Sequence, residues 1–202
     1  MTSGAIAKVS FRRLPLDLEP ARLVADLEAI PTWAWERSHW PYPHGSVEQV
    51  LLRGGTRGTE LDFFVDEGVI DHEVMARTPY LGWLVGGDGP FGGATFAFLF
   101  RMAPGGRSRL HTDDMPIWRS HHRVHVPIVT NPGARLVAGG RWIHLPVGQA
   151  WTFDNQSLHG AVNGDAPRTH LILDVPDERP AMRDLLARAT FDPGEAAPPI
   201  EP

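Results

Sequence analysis

Cysteine is absent from the 202 residues. That excludes at once a disulfide framework, a zinc–thiolate site, an iron–sulfur cluster and a thiol nucleophile. There is no basic run and no interleaving of aromatic with basic residues, and the formal net charge is −5. Neither nucleic acid nor an anionic membrane is therefore expected as a partner. No stretch approaches the roughly 20 apolar residues that a membrane helix requires. The first residues, MTSGAIAKVSFRR, lack an apolar run followed by a cleavage site, so no signal peptide is expected and a cytoplasmic location is the working expectation. P-loop, GxSxG and HExxH motifs are missing. Residues 87–92 satisfy GxGxxG, but Pro90 interrupts them and the strand-like ATFAFLF follows where a dinucleotide site needs a helix, so they read as a loop. The sequon at Asn155, Gln156 and Ser157 is taken as chance.

What is present suits one soluble globular domain: 42% apolar and 21% charged residues over a length able to bury a sizeable core. Residues 16–30 carry Leu18, Ala21, Leu23, Val24, Leu27 and Ile30 at helical spacing. Residues 31–46 read as irregular, 47–52 as a strand, and 70–84 as a second helical stretch interrupted around Pro79. Beyond this the period changes to two, with strand-like segments at 94–102, 123–129, 134–137, 141–145, 150–154 and 168–175. Gly- and Pro-containing turns separate them. The pattern is mainly β with N-terminal helices, and the expected architecture is a double-stranded β-helix, a cupin-like jelly roll with eight core strands. Residues 179–188 fit one short helix. We read 1–190 as a single domain and 191–202 as a Pro-rich acidic tail without fixed structure.

The most informative stretch is His111-Thr112-Asp113, answered by His159 and, nine residues later, by Arg168. On an extended strand His111 and Asp113 project to the same side. Two imidazoles and one carboxylate can occupy one face of an octahedral metal and leave the other open, the ligand set of non-haem Fe(II) oxygenases. In 168–175 the residues Arg168, His170, Ile172 and Asp174 share one face, and Thr169, Leu171, Leu173 and Val175 the other. The first face would bury charge inside a barrel, which is costly unless a partner is present. A carboxylate cosubstrate, 2-oxoglutarate, is the partner proposed for Arg168. Arg123 and His125 repeat the pattern, suggesting several cationic donors for dicarboxylates or a carboxylated substrate. The turn at 163–165 makes 151–154 and 168–175 candidate neighbouring strands. His39, His44, His72, His121, His122 and His144 receive no role. Ordinary packing is the default for the seven Trp, with Trp33, Trp35 and Trp40 as candidates for covering the barrel mouth.

These motifs, with AKVSF, GSVEQVLLR, TPYLGWLV, Arg101, RVH at 123–125, WTFDNQSLHG and RTHLILDV in this order, resemble the 2-oxoglutarate/Fe(II)-dependent oxygenases of the aspartyl/asparaginyl β-hydroxylase type. Within that group they resemble the bacterial free-proline hydroxylases. The resemblance implies that His111, Asp113 and His159 bind Fe(II). It also implies that Arg168 pairs with a 2-oxoglutarate carboxylate, and that Arg123 and His125 help bind 2-oxoglutarate or substrate. The implied reaction uses dioxygen, converts 2-oxoglutarate to succinate and CO2, and hydroxylates an unactivated carbon. Animal members of the branch carry Gly at the carboxylate position, whereas this chain has Asp113 and resembles the full-triad members. The proline hydroxylases have a further region after the barrel, so a more open site is expected here. The expected substrate is small and carboxylate-bearing, an amino acid or a derivative of one. A peptidyl Asp/Asn or carrier-tethered residue is the alternative. A halogenase, a cupin-like isomerase or dioxygenase, and a non-catalytic metal-binding module are rival readings, and monomer and homodimer are both left open.

Overall fold

The computed structural model describes residues 11–37, 47–55 and 68–197. In chain order these hold β1 (Phe11–Asp17), α1 (Pro20–Glu28), β2 (Glu36–Arg37), β3 (Val47–Gly54), β4 (Ile70–Asp71), α2 (Pro79–Val85), β5 (Phe96–Met102), β6 (His121–Val129), β7 (Arg135–Ala138), β8 (Arg141–Ile143), β9 (Gln149–Thr152), β10 (His159–Val162), β11 (Arg168–Pro176), α3 (Pro180–Ala187), β12 (Thr190–Asp192) and β13 (Glu195–Ala196). The large sheet runs β12-β1-β9-β6-β11-β5-β3-β2, with β4 paired to β3, and the small sheet runs β10-β7-β8-β13. Every named pairing is antiparallel. This is the expected double-stranded β-helix, widened to thirteen strands among the described residues.

The two faces of the large sheet differ in chemistry because strand side chains alternate. One face is apolar and is covered by helices. Leu171, Leu173 and Val175 of β11, Val124, Val126 and Ile128 of β6, and Ala97 and Leu99 of β5 join Leu23 of α1, Leu81 and Leu84 of α2, and Met182 and Leu185 of α3 in the main core. The other face turns toward the small sheet. Phe11, Trp151 and Phe153 meet Leu136, Ala138 and Ile143 at one end, and Val47 and Met102 meet Ala161 at the other. Between these two ends lies a cavity.

The helices start where proline permits, since Pro20, Pro79 and Pro180 stand in first turns, where a missing N–H costs nothing. The second helical stretch splits at Pro79 into a 3-10 turn, Glu73–Arg77, and α2. Buried Asp26 of α1 accepts the Leu81 N–H at 2.7 Å, so a side chain from one helix serves an otherwise unpaired donor in the first turn of the next. No helix among the described residues is long and apolar enough to cross a membrane.

One strand was not anticipated, and two expectations need correction. Residues 11–17 form β1, with Phe11 and Leu14 buried. The charges of Arg12 and Arg13 and the presence of Pro15 concealed it, and its pairing with β9 shifts register between Arg13 and Asp17. Residues 151–154 and 168–175 are not neighbours: β6 lies between β9 and β11. The tail is not structureless from 191, because Phe191 and Asp192 pair with β1, and Glu195 and Ala196 pair with Trp142 and Arg141 of β8. Backbone pairing overrode an acidic, proline-rich composition there. Residues 198–202 lie outside the described residues.

Because Leu171 is fully buried in the central strand, Leu171→Ala is expected to destabilise the fold by about 2–5 kcal/mol. Urea unfolding followed by far-UV circular dichroism measures this, and a loss below about 1 kcal/mol would contradict the packing described.

Candidate metal and cosubstrate site

His111 and His159 are joined through the backbone. The His111 N–H donates to the His159 carbonyl and the His159 N–H to the His111 carbonyl, both at 2.8 Å. This isolated bridge brings residues 48 positions apart into register, with ring centroids 4.3 Å apart. Gly160 makes the approach possible: a Cβ there would stand 3.1 Å from both the Arg109 carbonyl oxygen and Ser108 Oγ. Two residues on, the Asp113 N–H donates to the Asn155 carbonyl at 3.0 Å, placing the carboxylate beside both rings. One ligand atom from each of His111, Asp113 and His159 lies within 4.8 Å of the others.

Both imidazoles are aimed by the same local device. His111 Nδ1 lies 2.9 Å from the Arg109 carbonyl and His159 Nδ1 lies 2.9 Å from the Ser157 carbonyl. A carbonyl only accepts, so Nδ1 carries the proton and the Nε2 lone pair is left for a metal. The two Nε2 atoms each sit 3.7 Å from an Asp113 oxygen. Burial lowers the His159 pKa to about 4 although Asp113 pulls it upward, so the ring is in its neutral, metal-binding form at neutral pH. This donor set of two nitrogens and a carboxylate oxygen fits Fe(II).

Arg123 stands behind Asp113. Its Nη1 donates to Asp113 Oδ2 at 2.8 Å, while Nε and Nη2 hold the two oxygens of Asp174 at 2.9 and 2.8 Å. The guanidinium also lies over the Trp118 ring at 4.9 Å, and Trp118 Nε1 donates to Asp174. Burial opposes its charge, but Asp174 and then Asp113 outweigh burial and raise the pKa. All three guanidinium nitrogens are thus engaged by carboxylates of the chain.

Arg168 is the contrasting cation. It is 2% exposed and forms no ion pair with any carboxylate among the described residues; its Nε donates to His170 Nε2 at 3.0 Å. Burial lowers its pKa to about 10. The turn that carries the chain from His159 to Arg168 is clasped by asparagines: Asn131 Nδ2 donates to Asn163 Oδ1, and Asn163 Nδ2 to the carbonyls of Met102, Ala103 and Ala166. A Cβ at Gly164 would come within 2.2 Å of Asn131 Oδ1, so only glycine fits that turn. His125, 6% exposed, has neither ring nitrogen hydrogen-bonded within the described residues.

One cavity of about 180 Å³ collects these groups: the three candidate ligands, Arg123, His125 and Arg168, and an apolar wall including Phe98, Phe100, Met115, Trp118 and Ile172. The six residues singled out in the sequence thus line one space. The buried cation lacking a carboxylate and the unpartnered imidazole fit a dianionic cosubstrate such as 2-oxoglutarate.

A sequence model of the aspartyl/asparaginyl beta-hydroxylase family matches residues 62–178, more than half of the chain. The chain belongs to this family. Like the family, it is a 2-oxoglutarate-dependent dioxygenase that uses Fe(II). An L-proline cis-4-hydroxylase of Rhizobium meliloti (strain 1021) is 22% identical over 205 residues, spanning 100% of this chain and 70% of that enzyme. An oxidoreductase of the 2OG-Fe(II) oxygenase family from Burkholderia pseudomallei shares the fold with a TM-score of 0.56 at 15% identity, covering 79% of this chain and 78% of the other. The viral collagen prolyl hydroxylase of Paramecium Bursaria Chlorella virus-1 has a TM-score of 0.50 at 13% identity, covering 84% and 96%.

For this family member, sequence reasoning missed Asn155, noted only as a sequon, and Trp118. Asp174 was placed on the interior face of its strand but given no role; an acidic residue repeating with Arg168 on that face was the available signal. Trp33 is 62% exposed and Trp35 stacks under Arg101 at 3.4 Å, so neither lines the cavity, where Trp118 stands instead. Trp40, His39 and His44 lie outside the described residues.

His125 and His170 are both held well below the ordinary histidine value of about 6.5, by burial first and by the Arg168 charge second. In the unfolded chain they protonate near 6.5, so below that pH the unfolded state binds protons that the folded state does not. Stability therefore falls on acidification, by about 1.4 kcal/mol per pH unit for each group. The urea midpoint should drop as pH is lowered from about 7 toward 5, and His170→Gln should flatten that slope. An equal slope in the variant would remove His170 from the account.

Proposed function

We propose that this enzyme hydroxylates an unactivated carbon of an amino acid or a small amino-acid derivative. In this reading His111, Asp113 and His159 hold Fe(II), Arg168 holds the distal carboxylate of 2-oxoglutarate, and His125 donates a further hydrogen bond beside it. The observation that carries it is the buried Arg168, whose charge meets no carboxylate of the described chain, in the cavity that also holds the three converging ligand atoms. Leaving such a cation unpaired is costly, and an incoming carboxylate relieves the cost. When bound, the iron and 2-oxoglutarate supply, with dioxygen, the oxidation that replaces C–H by C–OH. The chain's own residues do the rest. Carbonyl-anchored imidazoles fix the metal's position, Arg168 orients the cosubstrate, and Phe98, Phe100, Met115, Trp118 and Ile172 offer a dry wall on which the carbon to be attacked can rest. A cytoplasmic location, where 2-oxoglutarate is available, suits this activity.

A second reading is favoured by one specific observation. Arg123, expected to read a substrate carboxylate, is already engaged by Asp174 and Asp113. A substrate whose carboxylate is masked, in a peptide or on a carrier, needs no such reader. Comparing an amino acid with its amide or ester separates the two: equal turnover favours the masked substrate, and strong preference for the acid favours the free one.

The test begins with succinate formation over a panel of free amino acids and small peptides. His159→Ala should abolish turnover and Fe(II) binding together. Arg168→Ala should raise the apparent KM for 2-oxoglutarate by about 3–5 kcal/mol in free-energy terms, on the order of a hundredfold or more. Arg168→Lys should be impaired as well, since an ammonium cannot reproduce the planar fork. An unchanged KM in both Arg168 variants refutes the cosubstrate assignment, and a fully active His159→Ala enzyme refutes the ligand assignment.

A further inference from the structure

Asp113 uses its two oxygens unequally. Oδ2 accepts from Arg123 Nη1 at 2.8 Å and from Asn155 Nδ2 at 2.9 Å, while Oδ1 receives no donor among the described residues. A carboxylate oxygen has about two lone-pair directions, so Oδ2 is saturated by the chain. Arg123 cannot swing away from it, because Asp174 grips Nε and Nη2 from the neighbouring strand, where Arg123 and Asp174 are register partners. Asp174 is itself 1% exposed and held by Trp118 Nε1. Asn155 is tied a second way, since its carbonyl accepts the Asp113 N–H.

We propose that Arg123 and Asp174 form a positioning pair that, with Asn155, fills one oxygen of Asp113 so that the carboxylate offers a metal a single donor atom. The inference rests on the reading of Asp113 as a metal ligand. Its consequence is a matter of counting. Two imidazole nitrogens and one carboxylate oxygen make three donors from the chain; a second carboxylate oxygen would make a fourth and take a position needed by the reactants. Arg123 is then a positioning residue rather than a reader of substrate, and Asp174 acts through it. A geometry that gives Oδ2 two hydrogen-bond donors and leaves Oδ1 with none, only His111 Nε2 3.7 Å away, is what such a lock requires, and a merely structural ion pair between β6 and β11 does not require it.

The test uses the full chain, stripped of metal, with Co(II) as the probe. Co(II) binding is followed by titration, and its visible absorption reports the number and arrangement of donors. Asp174→Asn keeps the shape of the pair but removes the charge that holds Arg123. Arg123→Lys keeps the charge but loses the fork. Asn155→Ala removes the second donor to Asp113 while leaving both members of the Arg123–Asp174 pair in place, and so supplies a variant if either of the others fails to fold. Folding is checked by thermal melting. The expected result is Co(II) affinity lowered 10–100-fold in folded Asp174→Asn and Arg123→Lys proteins, together with a changed Co(II) spectrum, and a smaller change of the same kind in Asn155→Ala. Co(II) affinity and spectra matching the unaltered protein in the folded variants would overturn the proposal, even if their melting temperatures fall. Asp113→Asn separates the two levels. If it binds Co(II) as the unaltered protein does, the ligand reading itself fails and this inference goes with it. If it loses binding while the folded Asp174→Asn and Arg123→Lys proteins do not, only the positioning pair is refuted.

Discussion

Charge buried between two sheets is the constraint on which the rest of this structure depends. Asp113, Arg123, Asp174 and Arg168 are all enclosed, at 5% exposure or less for the three that are fully buried. Isolated, any one of them would cost several kcal/mol. The chain compensates three of them internally: one guanidinium lies between two carboxylates, leaving one negative charge facing the two imidazoles. The remaining Arg168 leaves one positive charge on the other side of the cavity. The set is neutral as a whole but divided, with an anionic corner suited to a cation and a cationic corner suited to a carboxylate. A divalent metal and a dianionic cosubstrate are equal and opposite, so loading both preserves neutrality while satisfying each corner.

The double-stranded β-helix makes that division affordable. Strands β5, β6 and β11 are buried on both faces, and period-two alternation lets each serve two environments. Leu171, Leu173 and Val175 of β11 pack under the helices; Arg168 and Ile172, on the opposite face, line the cavity, with His170 beside Arg168 and Asp174 against Arg123. The apolar layer contributes the stability against which the polar layer is held. A one-residue slip in β11 would exchange the two sets, placing Arg168 in the helical core and Leu171 at the site. The antiparallel pairing on both sides, to β5 and to β6, guards against this.

Much of the site was legible because its signals are local or periodic. HxD spacing announces two donors on one side of an extended segment. The strand-like alternation of 168–175 marks which of its residues face inward, and the charges on that face mark it as functional. Other features left no comparable trace. Strand β1 was hidden by Arg12, Arg13 and Pro15, which disfavour a strand in isolation yet are accommodated once β9 and β12 flank it. The short pairings of Glu195 and Ala196 were hidden by tail-like composition. Asn155 reads as a loop residue until its side chain and carbonyl are both seen on Asp113.

The sequence by itself determined the fold class, the main helices and strands, and the identity of the residues carrying unusual chemistry, because these follow from hydrophobic period, turn residues and the donor properties of His, Asp and Arg. Only the tertiary structure decided how the cations divide their work. Arg123 and Arg168 are the same residue type on paired strands, β6 and β11, and nothing in either neighbourhood of sequence distinguishes them. Arg123 has Asp174 opposite it across the ladder and Asp113 in front of it, whereas Arg168 has an imidazole beside it and Met102 opposite. Which guanidinium is engaged by carboxylates of the chain and which meets none among the described residues is set by those cross-strand partners, and pairing over such separations is a property of the folded register alone.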